Sequence, residues 1–372
     1  MASGHSVYVH LPFCVSRCHY CDFATGVFES IPFDRYARKV IEEIRRRRAL
    51  LGLERPISAY VGGGTPSLWP WRNLAEILSA CGEISGAEVT VEVNPGDADP
   101  DWFAALVDAG VDRFSIGVQA MDDARLAWLG RRHGVEEAAA AVAMALGSGA
   151  GRVSADIIYG TPVQRPRDLE AELGRIADLG VDHVSAYELT VAAGTVLGRR
   201  VASGEVSLPG EVAMIELWEA AGGTLASRGL RRYEVSNHAA KGRESVHNRH
   251  YWRGGEYVGV GAGAHGYAVI GGEHARWSNV ADPWEYMAGV DPAVEIVSPL
   301  DRARELVMLG LRTVEGLDFE AVTGALPGEV TRAWRDIAGD LVAEGHAIRE
   351  GARLVPTDSG MLMADGIAEL FF

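Results

Sequence analysis

Short apolar runs and amphipathic helical stretches alternate along the first 240 residues or so of the chain. The apolar runs, rich in β-branched residues, occupy 6–13, 57–62, 88–93, 113–118, 152–159 and 183–189. Between them lie helical patterns, for example apolar residues at 74, 77, 78 and 81. Strands that are apolar throughout are typical of a parallel sheet covered by helices on both faces. Six strand–helix units at roughly 30-residue spacing therefore predict an α/β fold, an open, partial (β/α)6 barrel.

The pattern changes beyond residue 232. Glycines and aromatic residues dominate 247–267. Helix, helix, hairpin and helix patterns follow at 300–314, 335–343, 347–354 and 359–370. This order predicts a smaller α+β, winged-helix-like C-terminal domain. We therefore expect a barrel domain over 1–240 and a C-terminal domain over 241–372.

Charge and composition limit the partners of the chain. It has 51 acidic and 35 basic residues, a formal net charge of −16. Such a surface disfavours nucleic acid, whose recognition needs clustered Lys and Arg. The one dense basic run, 45–48, lies in a helical pattern without interleaved aromatics, which is typical of a solvated helix face. No signal peptide and no apolar run of about 18 residues is found, so we expect a soluble, cytoplasmic protein.

Three of only four cysteines fall within eight positions. Cys14, Cys18 and Cys21 form a C-x3-C-x2-C pattern after the first predicted strand, at the end where parallel barrels carry their active sites. Thiolates are the natural ligands of iron–sulfur clusters, and three of them leave one iron of a four-iron cluster open. A Cys3His zinc site with His19 is the alternative, although His19 lies in the tightest part of the loop. Cys81 belongs to an apolar helical stripe and is predicted to be a core residue.

The C-x3-C-x2-C pattern resembles the signature of the radical S-adenosylmethionine (SAM) superfamily. The resemblance implies a [4Fe-4S] cluster held by the three cysteines, which when reduced converts SAM to methionine and a 5′-deoxyadenosyl radical. SAM would chelate the open iron through its amine and carboxylate. The segment from Gly62 to Pro66 resembles the one that receives SAM's amino group, and glycines there let the backbone approach a ligand.

Further residues match the HemN/HemW branch of that superfamily. By this resemblance the SAM contacts are Tyr8, Tyr20, Gly63, Gly64, Thr65, Glu92, Gln119, Arg131 and Asp156. Taken singly, each polar residue among them has a capping or ion-pairing role as its alternative. Each of these polar residues ends or follows a predicted strand, however, so all could converge on one barrel mouth.

Within the branch the chain resembles the haem-chaperone family. His247, Tyr251 and Trp252 match the H-N-x-x-Y-W motif associated with haem binding, and a glycine-rich segment ending in His265 follows. Histidine is a good axial ligand for haem iron, and the two aromatic rings offer flat faces for a porphyrin. A packed histidine with core aromatics is the alternative, and His250 and His265 are alternative ligands.

The resemblance implies haem and apo-haemoproteins such as respiratory cytochromes as partners. Peripheral membrane association through these partners is left open, as is a homodimer. Two departures from HemN count against coproporphyrinogen III dehydrogenase activity. Phe23 stands where HemN has a fourth cysteine, and only seven residues precede Tyr8 where HemN has a longer extension. That dehydrogenase, which serves porphyrin biosynthesis, and a class C radical SAM methyltransferase are the alternatives to a chaperone. Whether SAM is turned over stays open.

Overall fold

The computed structural model describes residues 4–372. In that range the strands are β1 (His5–Leu11), β2 (Phe13–Cys14), β3 (Gly26–Val27), β4 (Ser58–Gly63), β5 (Glu88–Val93), β6 (Arg113–Gln119), β7 (Arg152–Tyr159), β8 (His183–Glu188), β9 (Arg231–Arg232), β10 (Asn237–Ala239), β11 (Glu256–Val260), β12 (His265–Ile270), β13 (Glu273–Ser278), β14 (Ala293–Ile296), β15 (Leu317–Asp318), β16 (Ala347–Glu350) and β17 (Arg353–Pro356).

The helices are α1 (Phe33–Leu51), α2 (Trp71–Ala80), α3 (Pro100–Asp108), α4 (Asp123–Leu129), α5 (Val135–Gly147), α6 (Pro166–Asp178), α7 (Val196–Ala202), α8 (Glu211–Ser227), α9 (Val246–Trp252), α10 (Pro283–Ala288), α11 (Pro299–Gly310), α12 (Phe319–Gly324), α13 (Gly328–Ala343), α14 (Asp358–Leu362) and α15 (Ala364–Glu369), with a 3-10 turn over Pro66–Leu68. None of the described helices is long and apolar enough to cross a membrane.

Six strands form the parallel centre of the molecule. β1, β4, β5, β6, β7 and β8 are neighbours in that order, and every pairing between them is parallel. Along β1, Val7, Val9 and Leu11 are fully buried in the main core, which also includes residues of the crossover helices. The alternate residues, among them Tyr8, face the barrel interior, because side chains alternate along a strand. The predicted α/β fold with a partial (β/α)6 barrel is confirmed.

The sheet extends past these six strands at both edges. β11 pairs parallel with β1, and β12, β13 and β14 continue antiparallel from it. At the other edge β10 pairs antiparallel with β8, followed by β9. The sheet therefore continues beyond residue 240 as far as Ile296. These added strands were not predicted from the sequence: β9, β10 and β14 have only two to four residues, and β11 and β12 each contain a glycine.

The C-terminal segment from Pro299 has its own core, built around Val307, Phe319, Trp334 and Leu354. The predicted α+β organisation is confirmed, with β15, β17 and β16 forming a small sheet beside the helices. The structure adds α12 and β15, and divides the last predicted helix into α14 and α15. The domain division at residue 240 stays a prediction.

Two side-chain predictions outside the barrel mouth have different outcomes. Cys81 is fully buried beside α2, as predicted. The solvated face predicted for 45–48 is wrong for Arg47, which is 8% exposed. Arg47 lies 4.3 Å from the ring centroid of Trp277 and pairs with Glu43 on the preceding helical turn. The added strand β13 supplies this tryptophan, so the helix face is covered where the sequence indicated solvent.

Candidate functional site

A cavity of about 390 Å³ opens at the C-terminal ends of the parallel strands. The loop after β1, the glycine-rich turn after β4 and the ends of β5 to β8 form its walls. The three cysteines line it together with eight of the nine predicted SAM contacts, namely Tyr20, Gly63, Gly64, Thr65, Glu92, Gln119, Arg131 and Asp156. Residues predicted from separate strands therefore converge on one mouth, because parallel strands bring their carboxyl ends to the same edge.

Cys14 and Cys18 accept hydrogen bonds from side chains outside the cysteine loop. The Thr65 hydroxyl donates to Cys14 Sγ at 3.4 Å, and Arg131 Nη1 donates to Cys18 Sγ at 3.4 Å. Donors of this kind stabilise thiolate sulfur and influence the potential of a bound cluster. Three half-buried thiols at one mouth, two of them with donors from the barrel, fit an iron–sulfur cluster with three cysteine ligands.

The alternative zinc ligand, His19, has one ring nitrogen occupied. Its Nδ1 lies 2.7 Å from the Trp128 carbonyl oxygen, to which it donates. Within residues 4–372, no three His, Cys, Asp or Glu side chains converge as a single metal ion requires. A four-iron cluster differs, because each thiolate binds a different iron.

Arg131 joins the cysteine loop to the barrel. Besides Cys18, its guanidinium donates to the Gly117 carbonyl oxygen on β6 at 3.1 Å and to the Asn94 side chain after β5. The planar fork of arginine can serve three acceptors at once, which a lysine ammonium cannot do in the same geometry. Arg131 therefore links the cysteine loop to β6 and to the end of β5.

Glu92, near the end of β5, is a cavity carboxylate with two hydrogen-bond donors. Tyr60 Oη donates to its Oε1 at 2.8 Å, and the Gly63 N–H donates to its Oε2 at 3.1 Å. Burial, together with the nearby Asp156 carboxylate, raises the pKa of Glu92 from 4.5 to about 7. A Cβ on Gly62 would lie only 2.8 Å from the Glu92 carboxyl carbon, so the glycines allow the turn to pack on this carboxylate.

Two further predicted contacts have distinctive geometry. The Ser115 hydroxyl lies 3.1 and 3.0 Å from the two carboxylate oxygens of Asp156, and burial raises the pKa of this carboxyl. Gln119 has φ of 64°, at the point where the pairing of β6 with β7 shifts register. A left-handed backbone is uncommon outside glycine and is often found at functional sites.

The predicted haem residues lie apart from this cavity. His247, at 3% exposure, is on α9 at the opposite end of the barrel, where its Nδ1 meets Ser58 Oγ at 2.9 Å. Tyr251 packs edge-on against His247 with ring centroids 4.8 Å apart, and Trp252 is half-buried. Haem could reach the His247 ring only if α9 moved. The haem contacts of these three residues stay predictions.

The other histidines and Tyr8 complete the predicted set. His250 Nε2 donates to the Glu256 carbonyl oxygen at 2.7 Å. His265, at the start of β12, has an exposed ring. Tyr8 lies outside the cavity lining, its hydroxyl 3.0 Å from His10 Nδ1 and its ring centroid 6.0 Å from that of Tyr60.

Several residues that line the cavity were not predicted from the sequence. Tyr60, Asn94, Ser115 and Tyr187 all contribute to its walls. Tyr60, Ser115 and Tyr187 are polar positions within otherwise apolar strands, and they belong to the face opposite the helices. The two-residue periodicity of a strand could have identified them as a group.

Two family models match the chain, and curated relatives are similar to it over nearly its whole length. Residues 8–176 match the radical SAM superfamily model, and residues 297–363 match the HemN C-terminal domain model. The heme chaperone HemW of Mycobacterium tuberculosis is 37% identical, over 97% of this chain and 93% of its own length. The heme chaperone HemW of Escherichia coli is 32% identical, over 98% of this chain and 97% of its own length.

A solved structure shares the architecture. Coproporphyrinogen III oxidase (HemN) from Escherichia coli, described as a radical SAM enzyme, superposes with a TM-score of 0.82. The match covers 99% of this chain and 90% of that one, at 20% sequence identity. At this identity the likeness shows a common fold, and it carries no statement about the reaction.

Proposed function

Because this chain belongs to the radical SAM superfamily and, within it, to the family of the HemW heme chaperones, we propose that it is a haem chaperone. It binds a [4Fe-4S] cluster, SAM and haem, and transfers haem to apo-haemoproteins such as respiratory cytochromes. We place this activity in the cytoplasm. The alternatives are the dehydrogenase and methyltransferase reactions of related scaffolds.

The similarity to HemW proteins over nearly the whole chain is the observation that carries the proposal. A local observation supports it. Phe23, 61% exposed, lines the cavity mouth two residues after Cys21, the position at which the dehydrogenase pattern has its fourth cysteine. The apolar ring therefore stands beside the cluster loop instead of a further thiol.

In this proposal Cys14, Cys18 and Cys21 hold the cluster, and Thr65 and Arg131 donate to its sulfurs. The cluster supplies an electron to SAM when both are bound. Glu92 and Asp156, which also line the cavity, offer half-buried carboxylates to the polar groups of SAM. Their low solvent exposure strengthens such contacts, because few waters compete for them.

We further propose that haem approaches His265 in preference to His247. A haem ligand needs an accessible ring nitrogen. The His265 ring is exposed, whereas His247 is buried and His250 already donates to a backbone carbonyl. His265 follows β11, and β11 ends beside β1, so the histidine lies at the cluster end of the sheet.

Anaerobic titration of the cluster-loaded protein tests the proposal. Haem should bind in a 1:1 ratio with a Soret band that differs from that of free haem. His265→Ala should shift this band, whereas His346→Ala, in the C-terminal domain, should leave it unchanged. Absence of haem binding, or SAM-dependent decarboxylation of coproporphyrinogen III by the wild-type chain, would contradict the chaperone function.

A further inference from the structure

Helix α9, which carries the H-N-x-x-Y-W segment, is fastened to the interior of the barrel. The carboxylate of Glu88 on β5 accepts from Ser245 Oγ at 3.0 Å, from the Val246 N–H at 3.0 Å and from the His247 N–H at 2.9 Å. An anion at the start of a helix stabilises the free N–H groups there. Glu88 is itself buried and paired with Arg152 at 2.7 Å. The start of α9 is therefore part of the barrel.

The His247 ring is held in one orientation and one protonation state. Ser58 Oγ donates to Ser6 Oγ at 2.8 Å, so it accepts from His247 Nδ1 at 2.9 Å. This arrangement places the proton of the neutral ring on Nδ1. Burial lowers the pKa of His247 to about 3, which keeps the ring neutral at physiological pH. Its Nε2 is buried and has no hydrogen-bond partner among residues 4–372.

The His247 ring packs against the ring of Tyr60. The two rings are stacked, with centroids 5.0 Å apart and planes inclined by 30°. On the far side of His247, Tyr251 packs edge-on at 4.8 Å. The hydroxyl of Tyr60 then donates to Glu92 at 2.8 Å, in the wall of the SAM cavity. A continuous series of contacts thus runs from α9 through two stacked rings to the carboxylate.

We propose that His247 is a positioning residue for the SAM site. Its ring fixes Tyr60 so that the tyrosine hydroxyl keeps Glu92 directed at SAM. The inference rests on the proposed SAM contact of Glu92 and is independent of haem binding. Truncating His247 leaves a void beneath Tyr60, and a core rarely collapses completely around such a void. A small displacement of Tyr60 would then loosen its hydrogen bond to Glu92.

Three single variants of the cluster-loaded chain test this role. His247→Ala should weaken SAM binding about tenfold, the effect expected when a displaced Glu92 loses one hydrogen bond to the charged SAM. It should also change the EPR signal of the reduced cluster with SAM bound. His247→Phe keeps a flat ring under Tyr60 and should restore most of the affinity. Tyr60→Phe removes only the hydroxyl and should resemble His247→Ala.

The double variant His247→Ala/Tyr60→Phe distinguishes positioning from general destabilisation. Both changes act through one hydrogen bond. The double variant should therefore lose much less SAM affinity than the sum of the losses in the two single variants. His238→Ala is the matched control. His238 is 1% exposed on β10, so its loss should lower stability and leave SAM binding unchanged.

Different results overturn this inference and the chaperone function. If His247→Ala alters the Soret band of bound haem and leaves SAM affinity and the EPR signal unchanged, His247 is a haem ligand and the inference is wrong. If His247→Ala fails to load four irons, the SAM affinities of His247→Phe and Tyr60→Phe test the positioning role instead. Wild-type affinity for SAM in Tyr60→Phe would then refute the positioning role. Failure of the wild-type chain to bind haem would remove the chaperone function alone.

Discussion

Replacing Glu92 by Gln should flatten the pH dependence of SAM binding between pH 6 and 8. Burial and the nearby Asp156 raise the pKa of Glu92 to about 7. SAM carries a positive sulfonium, so the ionised carboxylate binds it better than the protonated one. As the pH falls through 7, Glu92 takes up a proton and the wild-type affinity for SAM should decrease.

The pKa determines the size of this effect. With a pKa of 7, the carboxylate is ionised to about nine tenths at pH 8 and to about one tenth at pH 6. If only the ionised form binds SAM well, the dissociation constant rises roughly tenfold over this range, or about 1.4 kcal/mol. The Glu92→Gln variant has no proton to take up, so this part of the dependence should vanish.

The amino group of SAM titrates in the same direction. A free α-amino group has a pKa of about 7.7–8.0, and its protonated form cannot bind iron. This contribution persists in Glu92→Gln, so the difference between the two pH profiles isolates the carboxylate.

Anaerobic SAM titrations at pH 6, 7 and 8, followed by EPR, provide the measurement. Asp156→Asn removes the neighbouring negative charge and should move the wild-type midpoint to lower pH. A Glu92→Gln profile as steep as that of the wild type would show that the reasoning is wrong.

Three further results are expected. Alanine in place of any one cluster cysteine should abolish iron and sulfide binding, whereas Cys81→Ala should keep about four irons per chain, as iron analysis would show. Arg131→Lys should accelerate iron loss to a ferrous chelator severalfold, because lysine cannot serve its three acceptors; an unchanged rate would contradict this. Burial raises the pKa of Glu234 to about 7, so its stabilising contribution is complete below about pH 4.5 and is lost as the pH rises through 7. In urea unfolding, the wild type should therefore lose up to about 3 kcal/mol more stability than Glu234→Gln when the pH rises from 4.5 to 8. Equal losses would show that the pKa of Glu234 is not raised.

Much of the fold could be predicted from the sequence because its signals are local. A buried parallel strand is a short run rich in β-branched and other apolar residues, and the six predicted runs correspond to β1 and β4 to β8. The C-x3-C-x2-C spacing is also contained in eight positions. For the same reason Cys81 could be distinguished from the cluster cysteines, since the apolar stripe of α2 lies beside it.

The candidate site could be predicted where the sequence matches motifs of the superfamily it resembles. Glu92 and Gln119 come at or next to the ends of predicted strands, Asp156 lies inside β7, and the parallel topology brings all three to one cavity. Tyr60, inside β4, was missed because it belongs to none of the matched motifs. Its importance comes from contacts with Glu92 and with the distant His247, and no local pattern contains either contact.

Only the tertiary structure decided which face each residue occupies. The residue types of the H-N-x-x-Y-W segment suit a haem pocket and a barrel interior equally well. The pairing of β11 with β1 and the hydrogen bonds from α9 to Glu88 place His247 inside the barrel, across 159 residues of sequence. In the same way, β13 covers Arg47 on a helix face that looked solvated. Periodicity is encoded by neighbours along the chain, whereas burial depends on which distant segments pack together, and that is determined by the whole fold.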